Sequence, residues 1–132
     1  MIGGQMAELA EGPALSSLPK LDFISSHKTG KLIKACAASG AISADASKSV
    51  VQRVTQYGEA VGLAFQLIDD LADGDGYLRQ MSADEVRGRV RDLIAHAKRA
   101  IHPFGKKAEK LHALADFLLE RMPRDIHAAV DR

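Results

Sequence analysis

Four polar residues midway along the chain have the types and spacing of a metal-dependent site: Gln66, Asp69, Asp70 and Asp73. In a helix they fall within an arc of about 100°, so they share one face. Carboxylates this close repel one another, and the macrodipole disfavours negative charge near a helix C-terminus. A bound divalent cation attracts the carboxylates and so offsets their repulsion. Mg²⁺ suits carboxylates that share it with water and phosphates. The alternative is a solvated acidic helix end.

A second set of candidate residues lies upstream, in the stretch SHKTGK at residues 26–31. Lys28 supplies a point charge and Thr29 a hydroxyl, beside a glycine that leaves the backbone open. These are the residue types that bind phosphate. The alternative is an ordinary exposed, lysine-rich turn. Each motif alone fits both interpretations, and the case for chemistry rests on their occurring together.

A long third helix must position the acidic residues. Apolar residues recur at three- and four-residue intervals over residues 50–71, roughly opposite the acidic face. Ser43 and Asp45 are the predicted caps of this helix, and Gly74 and Gly76 are predicted to end it.

Two glycines extend the acidic face toward the start of this helix. Gly58 and Gly62 carry no side chain, so a ligand or another chain could approach the backbone closely there. Asp75, between two further glycines, is interpreted as a turn residue. We therefore expect a hollow on the polar side of the third helix.

The rest of the chain is predicted to be helical as well, because helical spacing is almost continuous and no run alternates as a strand would. A loop through Pro19 separates the first two helices, Ser82 caps the fourth, and Pro103 and Gly105 break the chain before the fifth. The predicted ranges of these four helices are residues 1–10, 21–42, 82–101 and 106–120.

The ordered set of motifs resembles the C-terminal half of the trans-isoprenyl diphosphate synthases, the polyprenyl synthetase family. The resemblance is carried by GGQ with Glu8 in residues 3–8, by HKTG in residues 27–30, and by YG and GxxFQxxDDxxD in residues 57–73. It continues more loosely through ALADF at residues 113–117. Residues 1–132 are accordingly interpreted as the C-terminal portion of a polyprenyl synthetase domain.

This resemblance implies an all-α fold of packed antiparallel helices around a deep cavity, with two aspartate-rich motifs facing each other across its mouth. It implies a prenyltransferase that condenses isopentenyl diphosphate with an allylic diphosphate, using Mg²⁺ to assist departure of diphosphate from the allylic substrate. The implied metal ligands are Asp69, Asp70 and Asp73, with Asp69 the first choice for direct coordination. The implied catalytic residues are Lys28, Thr29 and Gln66, of which Lys28 and Thr29 bind the diphosphate.

The chain also departs from the family pattern. The first aspartate-rich motif has no counterpart, and the Gly-Lys pair that many members carry after the second motif is absent, with Arg79 a poor substitute. Three explanations stay open: a fragment of a full-length synthase, which we favour; a natural short subunit completed by a partner chain; and a non-catalytic or regulatory helical subunit that binds a partner synthase. The first two imply exposed apolar faces and a homo-oligomer or a complementing synthase chain.

Composition limits the remaining possibilities. The 132 residues, 46% hydrophobic and 27% charged, fit one globular domain, and the net charge of +1 gives no electrostatic case for nucleic acid. The apolar runs are too short for a membrane span. Cys36 is the only cysteine, so we expect a buried thiol that takes no part in chemistry, and a cytoplasmic protein.

Overall fold

A computed structural model describes Met6 and residues 18–124 of the chain, and every regular element in residues 18–124 is a helix. The predicted all-α class is therefore confirmed. The predicted first helix, apart from Met6, lies outside the described residues. The elements are α1 (Leu18–Ser25), a π-helical turn (Ser26–Gly30), α2 (Lys31–Ser43), α3 (Lys48–Asp73), a first 3₁₀ helix (Gly76–Arg79), α4 (Ala83–Ile101), a second 3₁₀ helix (His102–Ala108) and α5 (Glu109–Arg121).

Helix α3 is the central element of the fold. Its 26 residues give a length of about 39 Å, and it packs against the π-helical turn, α2, α4 and α5. Ala64 and Leu67 are fully buried, and Leu71 is 1% exposed. Gly74 ends the helix in the left-handed conformation, with φ of 72°, as predicted. The long apolar stripe read from the sequence thus forms the middle of the core.

Helix α4 shows how fully local sequence can specify an element. Val86, Val90 and Ile94 recur every four residues and are all buried against α3. Before them, the Ser82 hydroxyl accepts a hydrogen bond from the Glu85 N–H, and the Glu85 carboxylate accepts one from the Ser82 N–H. This capping box satisfies two of the helix's unpaired donors. The predicted start and end of the fourth helix are confirmed.

In the turn between α2 and α3, the structure shows that the predicted caps of the third helix are wrong. Ser43 is the last residue of α2, and Ser47 occupies the N-cap position of α3. Asp45 has φ of 52°, its N–H donates to Ile42, and the Ala46 N–H donates to the Ala41 carbonyl. That pattern is a Schellman motif, in which Asp45 takes the left-handed position usually filled by glycine. Asp45 therefore ends one helix and does not start the next.

The second predicted helix is also divided differently from the expectation. The described chain is helical from Leu18, so Pro19 lies in the first turn of α1, where its missing N–H costs nothing. The predicted loop through Pro19 is wrong at that residue. The expected continuous helix over residues 21–42 is interrupted by the π-helical turn Ser26–Gly30.

Gly58 brings α2 directly against α3. A Cβ atom added to Gly58 would lie 2.8 Å from the Ala37 Cβ and 3.1 Å from the Lys34 Cα. Small residues on both helices therefore permit a close approach of the two backbones. At this position the hollow expected on α3 is filled by the preceding helix of the same chain.

The outer surface of α2 stays largely uncovered. This helix has no buried residue, Leu32 is 47% exposed and Ile42 is 63% exposed. Cys36 is exposed as well, so its predicted burial is wrong. The reason is that α2 contacts α3 through one narrow side only. Within residues 18–124, no helix combines the length and apolar character that crossing a bilayer requires.

Candidate active site

The three aspartates of the predicted metal site lie in the last turns of α3, in different surroundings. Asp69 and Asp73 are exposed, whereas Asp70 is half-buried. The Asp70 Oδ2 accepts a hydrogen bond of 2.9 Å from the backbone N–H of Tyr77 in the first 3₁₀ helix. One carboxylate of the motif is therefore tied to the following loop, while the other two face solvent.

Asp75 belongs to the turn after the helix, as the sequence predicted. It is the N-cap of the first 3₁₀ helix and accepts a hydrogen bond of 2.7 Å from the Gly76 N–H. The Arg79 guanidinium donates to both of its carboxylate oxygens, at 2.5 and 3.0 Å. These hydrogen bonds, first from Arg79 and then from Gly76, hold the pKa of Asp75 below its ordinary value. Its charge is thus compensated inside the loop.

The π-helical turn contains the predicted phosphate-binding residues Lys28 and Thr29. The structure describes the backbone at Lys28 and not its side chain, and Thr29 is half-buried. A π-helical turn within a helix is rare and often occurs at a functional site. It interrupts the α-helical hydrogen-bond pattern at the residues whose types suggest phosphate binding.

A contact between two glycines joins this turn to α3. A Cβ atom added to Gly62 would lie 2.7 Å from the Gly30 Cα and 3.1 Å from the Gly30 carbonyl oxygen. Because side chains spaced four and seven apart share a helix face, the face of Gly62 that meets Gly30 continues to Gln66 and Asp69. At 1.5 Å per residue, Asp69 lies about 10 Å along the helix from this contact. The π-helical turn and the acids thus border the same side of α3.

Gln66 occupies the stretch between the glycine contact and the acids. It is 8% exposed, and no described buried side-chain nitrogen or oxygen atom lacks a hydrogen-bond partner. The amphipathic pattern placed Gln66 on the polar face of α3. In the structure that face is covered at Gly58, Gly62 and Gln66, and it opens only at the aspartates.

A groove of about 900 Å³ lies between α1, α2 and α3. Its wall includes Phe23, His27 and Leu63. The ring of His27 stacks on Phe23 with centroids 3.9 Å apart, and its Nδ1 lies 2.7 Å from the Phe23 carbonyl oxygen. Phe23 is still 53% exposed. The groove is therefore an open, largely apolar surface beside the π-helical turn.

The donor set at the end of α3 fits a cation that is shared with other ligands. Carboxylate oxygens are ligands that Mg²⁺ accepts, and Asp69 and Asp73 present theirs to solvent. Across residues 18–124, however, no three His, Cys, Asp or Glu side chains converge to hold a metal ion by themselves. A cation here would need oxygen atoms from water, from a phosphate or from another part of the fold.

Sequence reasoning missed a cluster that anchors the loop after α3. The Tyr77 hydroxyl donates to Asp22, 55 positions away in sequence, and Arg89 donates to the same carboxylate. Tyr77 follows the acids closely along the chain, which is the one signal that could have drawn attention to it. Nothing local in the sequence indicates that Asp22 and Arg89 meet it, because the three residues come together only in the folded chain.

Comparisons with known proteins identify the family of this chain. A family model described as polyprenyl synthetase matches residues 1–103, and the chain belongs to that family. It is 37% identical to a dimethylallyltranstransferase of Fischerella ambigua (strain UTEX 1903), over 92% of this chain and 41% of the relative. It is 32% identical to the farnesyl diphosphate synthase of Escherichia coli (strain K12), over 92% of this chain and 48% of the relative.

Solved structures of synthases superpose on this chain. The crystal structure of an FPP/GFPP synthase from Zymomonas mobilis superposes with a TM-score of 0.84 at 30% identity, covering 89% of this chain and 45% of that one. A putative farnesyl-diphosphate synthase from Marinomonas sp. MED121 gives the same TM-score at 34% identity, covering 90% and 46%. The chain thus has the fold of these synthases and spans less than half the length of each.

Proposed function

We propose that residues 1–132 form the C-terminal portion of a polyprenyl synthetase domain and supply the second aspartate-rich half of a prenyl transfer site. The observation that carries this proposal is the contact of Gly30 with Gly62, which sets the turn containing Lys28 and Thr29 beside the side of α3 that ends in the acids. A phosphate group between them would meet cationic and hydroxyl donors from one side and carboxylate-bound metal from the other.

The proposed reaction joins isopentenyl diphosphate to an allylic diphosphate. The C–O bond of the allylic diphosphate breaks and diphosphate leaves, the double bond of isopentenyl diphosphate attacks the resulting allylic carbocation, and loss of a proton gives a prenyl diphosphate five carbons longer. Support comes from the family and from relatives that are named for dimethylallyl transfer and for farnesyl diphosphate synthesis. The apolar wall beside the π-helical turn suits an isoprenoid chain, and once further protein covers the groove this wall would keep water from the carbocation.

Asp69, Asp70 and Asp73 are the proposed ligands of Mg²⁺. When bound, Mg²⁺ would neutralise charge that develops on the departing diphosphate. Asp69 and Asp73 are accessible to a cation from solvent, and Asp70 is oriented by the Tyr77 N–H. We assign the ammonium of Lys28 and the hydroxyl of Thr29 to the diphosphate, and the buried amide of Gln66 to the region between it and the acids.

The site as proposed needs a second component. No first aspartate-rich motif is present in the 132 residues, and exposed apolar side chains surround the groove and α2, with Phe23 at 53%, Leu32 at 47% and Ile42 at 63% exposure. Large exposed apolar areas mark surfaces that another polypeptide covers. We propose that the occupant is a polypeptide that carries the first aspartate-rich motif, either as the remainder of a longer synthase or as a complementing synthase chain.

A prenyl transfer assay tests the function. The full chain is incubated with Mg²⁺, labelled isopentenyl diphosphate and allylic diphosphates of several lengths, alone and with a chain that carries the first aspartate-rich motif. We expect elongated product in the complemented mixture, and at least a ~100-fold loss in Asp69→Asn, in the range of losses seen when electrostatic stabilisation is removed. Asp92→Asn, which changes an exposed acid on α4, is the matched control and should keep full activity.

One observation favours a second candidate function. The apolar side chains of Leu32 and Ile42 are exposed on α2, and a non-catalytic or regulatory subunit that binds a partner synthase would also cover them. That candidate predicts stable association with the complementing chain and equal product formation by wild type and Asp69→Asn. Product formation that depends on Asp69 would exclude it.

A further inference from the structure

The loop after α3 is anchored by one residue that connects two parts of the fold. Tyr77 is fully buried; its hydroxyl donates to the Asp22 Oδ1 at 2.5 Å, and its backbone N–H donates to the Asp70 Oδ2 at 2.9 Å. The side chain thus reaches α1 while the main chain holds an acid of α3. A shift of the Tyr77 main chain would move the donor of the Asp70 hydrogen bond.

Arg89 of α4 closes this arrangement from the other side. Its Nη2 donates to both oxygens of Asp22, at 2.7 and 2.8 Å, and its guanidinium carbon lies 5.4 Å from the centre of the Tyr77 ring. The Arg89 and Asp22 side chains are 29% and 38% exposed, so this ion pair is partly shielded from solvent. Charge-assisted hydrogen bonds and a cation–π contact therefore hold the tyrosine between α1 and α4.

The backbone next to Tyr77 leaves Asp70 little freedom. Gly76 has φ of 58°, and a Cβ atom added there would overlap the Asp70 carboxylate. The carboxylate is thus packed directly against the main chain of the loop. Asp69 and Asp73, by contrast, are exposed to solvent.

We propose that Tyr77, Asp22 and Arg89 are positioning residues for the Asp70 carboxylate. The inference rests on the proposed function, in which Asp70 takes part in binding a cation. A carboxylate held in one orientation loses less conformational freedom when it coordinates a cation, and residues that orient metal ligands strongly affect affinity. Asp70 is then a preorganised member of the acidic motif.

Two buried tyrosines provide a matched test. Tyr77→Phe removes only the hydroxyl that bonds Asp22, and Tyr57→Phe removes a hydroxyl that donates to the Leu111 carbonyl at 2.7 Å, nearer the start of α3. In the full chain without metal, hydrogen exchange at the residue 77 amide should accelerate about five-fold in Tyr77→Phe, relative to the amides of α4. Tyr57→Phe should leave that ratio unchanged.

The second readout is the affinity for Mn²⁺ in the presence of inorganic pyrophosphate, followed by electron paramagnetic resonance. Tyr77→Phe should weaken it about 10-fold, and Tyr57→Phe should not change it. Asp22→Asn keeps an acceptor for the tyrosine and loses the ion pair with Arg89, so it should give a smaller loss in the same direction. Asp22→Asn is the test variant to use if Tyr77→Phe does not fold.

The outcomes separate the inference from the proposed function. If wild type takes up no Mn²⁺ with pyrophosphate, even with the complementing chain, the proposed function fails and the amide exchange alone decides the inference. If wild type binds and the two tyrosine variants are indistinguishable in both readouts, the positioning role is overturned. Faster exchange at residue 77 together with weaker binding supports it.

Discussion

Two regions of this chain follow the same helical rules and end with very different degrees of burial. The pair α3 and α4 is packed along its length, with Val86 and Val90 fully buried and Ile94 at 1% exposure. Helix α2 buries no residue and leaves Leu32 and Ile42 in solvent. The difference shows that α3 and α4 bury their apolar faces within the core of this chain, whereas α2 presents a face that further protein would have to cover.

The manner of contact differs as well. Large apolar side chains interlock between α3 and α4, but α2 and the π-helical turn meet α3 through Gly58 and Gly62. Packing of the second kind depends on the absence of side chains and not on the amount of apolar area buried. It positions the backbone closely and contributes less burial energy. We therefore expect the two regions to respond to opposite kinds of substitution.

The largest expected effect is on the packed pair. Ile94→Ala removes a buried side chain and should lower the free energy of unfolding by about 2–5 kcal/mol. Leu32→Ala on α2 should change it by about 0.5 kcal/mol or less, because that side chain is 47% exposed. Urea denaturation measures both. Equal losses would mean that α2 is already covered in the free protein, and a dependence on protein concentration would identify self-association as the cause.

The contact between Gly62 and Gly30 should be destabilised by adding atoms, whereas the packed pair is destabilised by removing them. Gly62→Ala forces a Cβ atom to within 2.7 Å of Gly30 and should destabilise by about 1–3 kcal/mol. Gly40→Ala meets nothing within 4 Å and should stabilise by about 0.4–1 kcal/mol through the unfolded state. Thermal unfolding monitored by circular dichroism compares the two variants. A neutral Gly62→Ala would contradict the close approach of the π-helical turn to α3.

The N-cap residues of α4 and α3 give a smaller expected difference in stability. Ser82→Ala removes the capping box of α4 and should cost about 1 kcal/mol. Ser47 occupies the N-cap of α3, but its hydroxyl bonds the Ser49 hydroxyl and no backbone N–H of the helix, so Ser47→Ala should cost only about a few tenths of a kcal/mol. Chemical denaturation resolves this difference. Equal losses would contradict the structure, in which Ser82 makes a capping hydrogen bond and Ser47 does not.

The smallest expected effect is a pH dependence from the loop after α3. Arg79 lowers the folded-state pKa of Asp75 below its ordinary value of 3.8, so the stabilisation is complete above that value and is lost as pH falls further. Asp75→Asn should remove this part of the acid-induced decline in melting temperature. The effect should be modest, since the Asp75 side chain is 56% exposed. An identical pH profile in wild type and variant would show that the pair with Arg79 adds nothing.

Local sequence was sufficient to predict α4, the buried face of α3 and the end of α3. Apolar periodicity, a capping box and a left-handed Gly74 all act over a few residues. It failed at Asp45, whose side chain suits both a helix start and a left-handed helix end. It also failed at Cys36, because burial depends on which helices lie nearby. The π-helical turn had no signal of its own in the pattern of apolar residues.

The site was predictable in its residue types and less so in its arrangement. The spacing of Asp69, Asp70 and Asp73 is enough to place them on one face of a helix. That spacing could not show that Asp70 would be tied to Tyr77, since the anchoring partners Asp22 and Arg89 are distant in sequence. The metal, diphosphate and catalytic roles of these residues, and those of Lys28, Thr29 and Gln66, stay predictions.

Calorimetric titration with inorganic pyrophosphate, with and without Mg²⁺, tests the central claim most directly. The account predicts uptake that requires Mg²⁺, is abolished in Asp69→Asn and Lys28→Ala, and is unchanged in Asp92→Asn. Absence of Mg²⁺-dependent uptake, with the complementing chain also supplied, would contradict it, as would equal uptake by wild type and Asp69→Asn.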